Sequence, residues 1–150
     1  MYIRMKDVFF KKLIHSADKY EIVKTGSQLD KGYKPDAVLQ RKNEFIIMEC
    51  DTGTSRKGYL GAMIKAAKFL ANEKKGILVL VIKEKDNTKV HQIYEHLKDY
   101  YSWIRPLTNL RAIYLISNEK YCPSGSPLKI FGYDFKKVAM KLSKERKNHL

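Results

Sequence analysis

Two apolar segments restrict what this chain can fold into. Residues 77–82 read ILVLVI and residues 44–51 read EFIIMECD. Successive side chains of a strand point to opposite faces. Both segments place apolar groups on both faces, so each needs a sheet that is covered on both sides. Neither run approaches the ~20 residues of a membrane-spanning helix. The covering must therefore come from helices of the chain itself, and the expected class is α/β, a mixed central sheet flanked by helices.

The surrounding sequence supplies those helices. Val8, Phe9, Leu13, Ile14 and Ala17 recur at three- and four-residue spacing and predict an amphipathic helix over about 3–17. Residues 20–25 (YEIVKT) read as a short strand, and residues 26–33 (GSQLDKGY) as a loop. Pro35 biases Lys34 away from helix, so residues 34–40 are expected to be extended. Residues 41–43 (RKN) form a hairpin turn into the strand at 44–51. Residues 52–55 (TGTS) offer an N-cap hydroxyl to a helix ending near residue 72. A second helix is expected around Val90, Ile93, Tyr94, Leu97 and Tyr101, a strand at 111–116, and a basic C-terminal helix at about 134–147. The element order is α-β-β-β-α-β followed by α-β-α. No repeat or linker divides the 150 residues, so a single domain is expected.

Thirty Lys and Arg against sixteen Asp and Glu leave a formal charge of +14. Such a balance selects a polyanion as partner, nucleic acid ahead of an anionic membrane. Cys50 and Cys122 have no CxxC or Cys/His spacing, which excludes a zinc ribbon or finger. The low cysteine count, with no apolar signal segment at the N-terminus, fits a cytoplasmic protein. No phosphate-binding loop or dinucleotide fingerprint occurs. The four histidines show no ligand spacing. Tyr100-Tyr101 suggests a nucleophilic pair, but Tyr101 falls on the apolar spacing of its helix and reads as packing.

Three carboxylates sit where apolar residues would be expected. Asp36 heads a strand, and Glu49 and Asp51 share a face near the end of the next. Counting back from the hairpin turn places Asp36 near Glu49. Three converging carboxylates repel one another unless a cation sits among them. An oxygen-only donor set suits Mg²⁺ or Mn²⁺, which can activate water and stabilise charge on a phosphodiester. The plainer alternative is that Asp36 caps a turn while Glu49 and Asp51 mark where a buried strand reaches water. On the following helix, Lys57, Gly61, Lys65, Lys68 and Asn72 fall on one stripe of an otherwise apolar surface. That stripe either aims a cation at the carboxylates or is the helix's solvated face.

The pattern Pro35-Asp36, then Glu49-Cys50-Asp51, within α-β-β-β-α-β order resembles the PD-(D/E)XK nuclease superfamily, the restriction-endonuclease-like fold. The run PDAVLQRKNEFIIMECDTGTSRKGYLGAMIKAAKF is most similar to the replication-relaxation group of plasmids and other mobile elements. The matching residues are Pro35-Asp36-Ala37, Glu49-Cys50-Asp51-Thr52-Gly53-Thr54, and Lys65 four residues before Phe69. The likeness covers roughly residues 34–70. It implies a metal held by Asp36 and Glu49, with a lysine assisting the attacking water. Asp51 stands where the superfamily usually has that lysine. Lys65 is the first replacement, with Lys57 and Lys68 behind it. Asp51 is otherwise a further metal ligand, or the fold is kept and cleavage lost.

The last 22 residues add Lys129, Lys136, Lys137, Lys141, Lys144, Arg146 and Lys147 against Asp134 and Glu145. Lys136, Lys137, Lys141 and Lys144 read as a clamp on a DNA backbone, or as a solvated tail. The expected activity is metal-dependent DNA endonuclease, with Asp36, Glu49, Asp51 and Lys65 in the site and Mg²⁺ or Mn²⁺ bound. The alternatives are a catalytically inactive DNA-binding accessory factor of plasmid replication or transfer, and a basic interaction protein without nucleic acid. DNA is the expected partner, with no membrane. A homodimer is compatible with double-strand cutting, although no apolar seam marks its interface.

Overall fold

A computed structural model of the protein describes residues 7–51 and 56–143, with the side chains of Asp7, Val8 and Asp51 outside the description. Its centre is one six-stranded sheet whose spatial order follows the sequence, β1 (Glu21–Lys24), β2 (Ala37–Arg41), β3 (Glu44–Asp51), β4 (Lys75–Ile82), β5 (Leu110–Ser117) and β6 (Met140–Ser143). The first three strands form an antiparallel meander. β3, β4 and β5 run parallel, and β6 returns antiparallel to β5. The sheet is therefore mixed, as expected for an α/β chain of this element order.

Parallel neighbours need crossovers. Helix α2 (Arg56–Phe69) connects β3 to β4, and α3 (Val90–Ile104) connects β4 to β5. Both pack on one face, where Tyr59, Met63, Ala66 and Leu70 meet Ile93, Leu97 and Tyr101 over Val38, Ile47, Leu80 and Leu115. Steps in one direction across a sheet with crossovers of one hand put successive helices on one side. The other face carries Leu39, Ile46, Met48, Cys50, Val81 and Ile116. It is covered by α1 (Asp7–Lys12), α4 (Asn118–Tyr121) and α5 (Tyr133–Val138) through Phe10, Tyr121 and Phe135.

Two expected helices are shorter than their periodicity implied. The helix expected over 3–17 ends, among the described residues, at Lys12. The His15 ring takes the Phe10 carbonyl at 2.9 Å, an acceptor the next helical turn would have used. The chain then runs extended, and Ala17 bridges Ile130. The basic C-terminal helix expected at about 134–147 stops at Val138, because Ala139 adopts extended angles (φ −80, ψ 140). Residues 140–143 then form β6, with Leu142 buried in the α2/α3 core and Lys141 exposed. An open edge on β5 is covered this way. The TGTS cap and residues 144–150, Lys144 included, lie outside the described residues.

Two features lock the register. The β2–β3 turn pairs Arg41 with Glu44 across Lys42, which has φ 54, and Asn43. At Gly76, a Cβ would stand 2.1 Å from the Phe45 carbonyl oxygen, so only glycine lets β4 approach β3 here. Among the described residues, no helix is long and apolar enough to cross a membrane.

Candidate functional site

The β2–β3 pairing ends at Ala37 opposite Met48; Asp36, in the bend just before Ala37, and Glu49, just after Met48, flank that last pair. Asp36 is buried, and its Oδ2 accepts a hydrogen bond from the Cys50 amide at 2.8 Å. Its Oδ1 lies 3.9 Å from Lys11 Nζ, an ion pair at the limit of contact. The Lys11 stem passes Gly26, which has φ +94. A Cβ there would come within 3.0 Å of Lys11 Cδ and Cε. Gly26 thus permits both the turn and the passage of the lysine.

Glu49 is half-buried, and its Oε2 accepts from the Tyr33 hydroxyl at 3.2 Å. Tyr33 is held by a tight turn in which its amide donates to the Asp30 carbonyl at 2.9 Å and Gly32 takes φ +74. Burial pushes the Tyr33 hydroxyl far above its usual range, with Glu49 and then Asp36 adding to the rise. The phenol therefore stays protonated as a donor, and it is close enough to feel both carboxylates. Cys50, between Glu49 and Asp51 in sequence, packs on the opposite face as a core residue.

This cluster lies at the carboxyl end of β3, where the sheet changes from antiparallel to parallel and from which the chain passes to α2. The donor set is oxygen-only and fits a hard divalent ion in kind. Mg²⁺ commonly uses one or two carboxylates and fills its remaining positions with water and substrate phosphate. Asp51 closes β3, but its side chain lies outside the described residues, and among those residues no group of three His, Cys, Asp or Glu is gathered to hold a metal.

The lysines are placed differently. Lys65 and Lys68 are exposed, on the side of α2 away from its buried Tyr59, Ala62, Met63 and Ala66. Lys57 is exposed in the first turn of α2, next along the chain from the carboxylates. Lys136 and Lys137 are exposed on α5, across the sheet from α2. Lys141 on β6 lies over the Tyr114 ring at 5.7 Å. Among the described residues, Lys11 is brought to Asp36; the sequence pattern does not mark it, and Tyr33 lies in a segment of loop composition.

Tyr101 is buried and donates to the Leu110 carbonyl at 2.7 Å, so it packs and ties α3 to β5. His15 is also structural. Its Nε2 donates to the Phe10 carbonyl, which leaves Nδ1 to accept from the Tyr121 hydroxyl at 2.5 Å.

A scan against protein-family models and searches of curated proteins and solved structures return no match to this chain.

Proposed function

We propose that this protein is a metal-dependent DNA endonuclease of restriction-endonuclease-like fold, acting at the carboxylate pair Asp36 and Glu49. The observation that carries this reading is that the buried Tyr33 hydroxyl donates to Glu49 and also feels the Asp36 charge, at the carboxyl end of β3 in a chain of charge +14. The element order α1-β1-β2-β3-α2-β4 and the Pro35-Asp36…Glu49 spacing support it.

Asp36 and Glu49 would hold Mg²⁺ or Mn²⁺, with Asp51 as a candidate third ligand. When bound, the ion supplies an activated water and charge stabilisation at the phosphodiester. The protein groups do the positioning. The Cys50 amide fixes one oxygen of Asp36, and Tyr33 fixes one oxygen of Glu49. Lys11 stands where a cation can face a phosphate oxygen. Lys57, Lys68, Lys136, Lys137 and Lys141 add exposed positive charge for a DNA backbone, on both faces of the sheet. Such binding weakens steeply with salt.

A second reading is a catalytically inactive DNA-binding accessory factor, in keeping with a plasmid or mobile-element setting. The observation that favours it is that Asp36 already has protein partners at both oxygens, while Lys65 faces solvent. Incubation with supercoiled plasmid and with labelled duplex, branched and single-stranded DNA separates the two. Cutting that needs Mg²⁺ or Mn²⁺ and is lost in Asp36→Asn and in Glu49→Gln supports the enzyme. Salt-sensitive binding without cutting supports the accessory factor. Absence of both at low salt overturns the two together.

A further inference from the structure

At the other end of β3 the chain builds a second charged site. Glu44 opens the strand and Glu49 lies five residues on, a separation of about 17 Å at strand rise. A cavity of about 440 Å³ opens there, lined by Lys19, Arg41, Lys42, Asn43, Glu44 and Lys75. Four cationic side chains thus face one carboxylate.

That carboxylate is fully engaged. Glu44 Oε2 accepts from Arg41 and, at 3.3 Å, from the Tyr20 hydroxyl, while Lys75 Nζ lies 3.4 Å from Oε1. Arg41 is also held 5.1 Å over the Tyr20 ring. These contacts hold Lys75 and the Arg41 fork on one wall. The backbone around these groups is tied as well. The Lys75 amide donates to the Asn43 carbonyl at 3.1 Å, and Asn43 Nδ2 donates to the Glu73 carbonyl at 2.8 Å.

Lys19 and Lys42 complete the rim, both exposed and both in the left-handed region, with φ 70 and 54. Glycine or asparagine holds that conformation at less energetic cost than lysine. Neither lysine makes an ion pair among the described residues. The backbone therefore carries two positive charges without an ion pair at the mouth of a cavity whose remaining cations, Arg41 and Lys75, are engaged by Glu44. The cavity is within the size range of small-molecule sites, and every residue lining it is charged or polar, with no aromatic ring among them to stack a base.

We propose that this cavity is a phosphoryl-group binding site, in which Lys19 and Lys42 meet the anion and Arg41 and Lys75 turn from Glu44 toward it. The phosphoryl group is either a phosphodiester of a nucleic-acid backbone or the phosphate of a small phosphorylated molecule. The site is independent of the carboxylate pair, and the test separates the two.

The intact chain is titrated with inorganic phosphate while the amide resonances of Lys42, Asn43 and Lys75 are followed. Saturable shifts confined to this rim are expected, unchanged in Asp36→Asn. Combining Lys19→Glu with Lys42→Glu abolishes saturation. Glu44→Gln keeps the hydrogen-bond acceptor but removes the competing charge, so phosphate binds about tenfold tighter. A short DNA duplex then identifies the source. If it moves the same amides and binds more weakly to the double variant, the group is a backbone phosphodiester. If it leaves them unmoved while phosphate saturates, the group belongs to a small molecule. Shifts that do not saturate, or that spread over the basic surface and persist in the double variant, overturn the proposal.

Discussion

Asp36 accepts a hydrogen bond from the Cys50 amide at 2.8 Å, so a side chain, rather than backbone pairing, fastens the head of β2 to the end of β3. The carboxylate proposed to hold a metal also holds the sheet together, and removing it tests two properties at once. Asp36→Ala removes the carboxylate acceptor of the Cys50 amide and should lower stability by about 1–3 kcal/mol. Asp36→Asn keeps an acceptor for that amide while losing the charge. Urea denaturation should place it within about 1 kcal/mol of the unmodified protein. An Asn variant as unstable as the Ala variant would show that the charge, and not the acceptor, fastens the strands.

Gly76→Ala puts a Cβ 2.1 Å from the Phe45 carbonyl oxygen, against backbone and not against a side chain that can turn away. The β3–β4 pairing beneath the site must then open. A stability loss of about 3 kcal/mol or more is expected from the denaturant midpoint. Gly61→Ala, with nothing within 4 Å of the added Cβ in the middle of α2, should not destabilise.

His15 links α1 to α4, and burial lowers its pKa, outweighing the Phe10 carbonyl hydrogen bond. The unfolded chain, with an ordinary histidine near 6.5, therefore takes up the proton more readily than the folded one. The contribution is fully present above the unfolded value and is lost as pH falls below it. Denaturation midpoints should decline between about pH 7 and pH 5, and the decline should flatten in His15→Leu, whose overall stability is lower.

Three buried tyrosines titrate in the opposite sense. Burial raises the hydroxyls of Tyr33, Tyr101 and Tyr121, Tyr101 to about 12. Their folded values lie above the unfolded value of 10.0, so their contribution is present below that value and is lost as pH rises through the folded ones. Ultraviolet titration should show these phenols ionising only as the protein unfolds in alkali. Tyr33→Phe removes the Glu49 hydrogen bond and should reduce the alkaline slope.

The strands at the centre were legible because their chemistry is local. β3 was read with its bounds, since only a strand covered on both faces can hold FIIM between Glu44 and Glu49. The short hairpin then fixes the β2–β3 pairing by counting, from Arg41 opposite Glu44 to Ala37 opposite Met48. What was missed depends on contacts distant in sequence. Lys11 reaches Asp36 across 25 residues, and Tyr33 reaches Glu49 across 16 from a segment with loop composition. At the C-terminus, Phe135, Val138, Ala139 and Leu142 satisfy helical spacing. Met140 and Leu142 also satisfy the two-residue period of a strand. The open edge of β5 decides between them, and nothing within residues 134–147 announces that edge.

The central claim is that Asp36 and Glu49 together hold a divalent ion. Its most direct test is Mn²⁺ binding, read by electron paramagnetic resonance on the intact chain with a short DNA duplex present. The account predicts a bound ion that is lost in Asp36→Asn and in Glu49→Gln, both of which remain folded. Mn²⁺ held equally by the unmodified protein and both variants, or held by none of them, would contradict it.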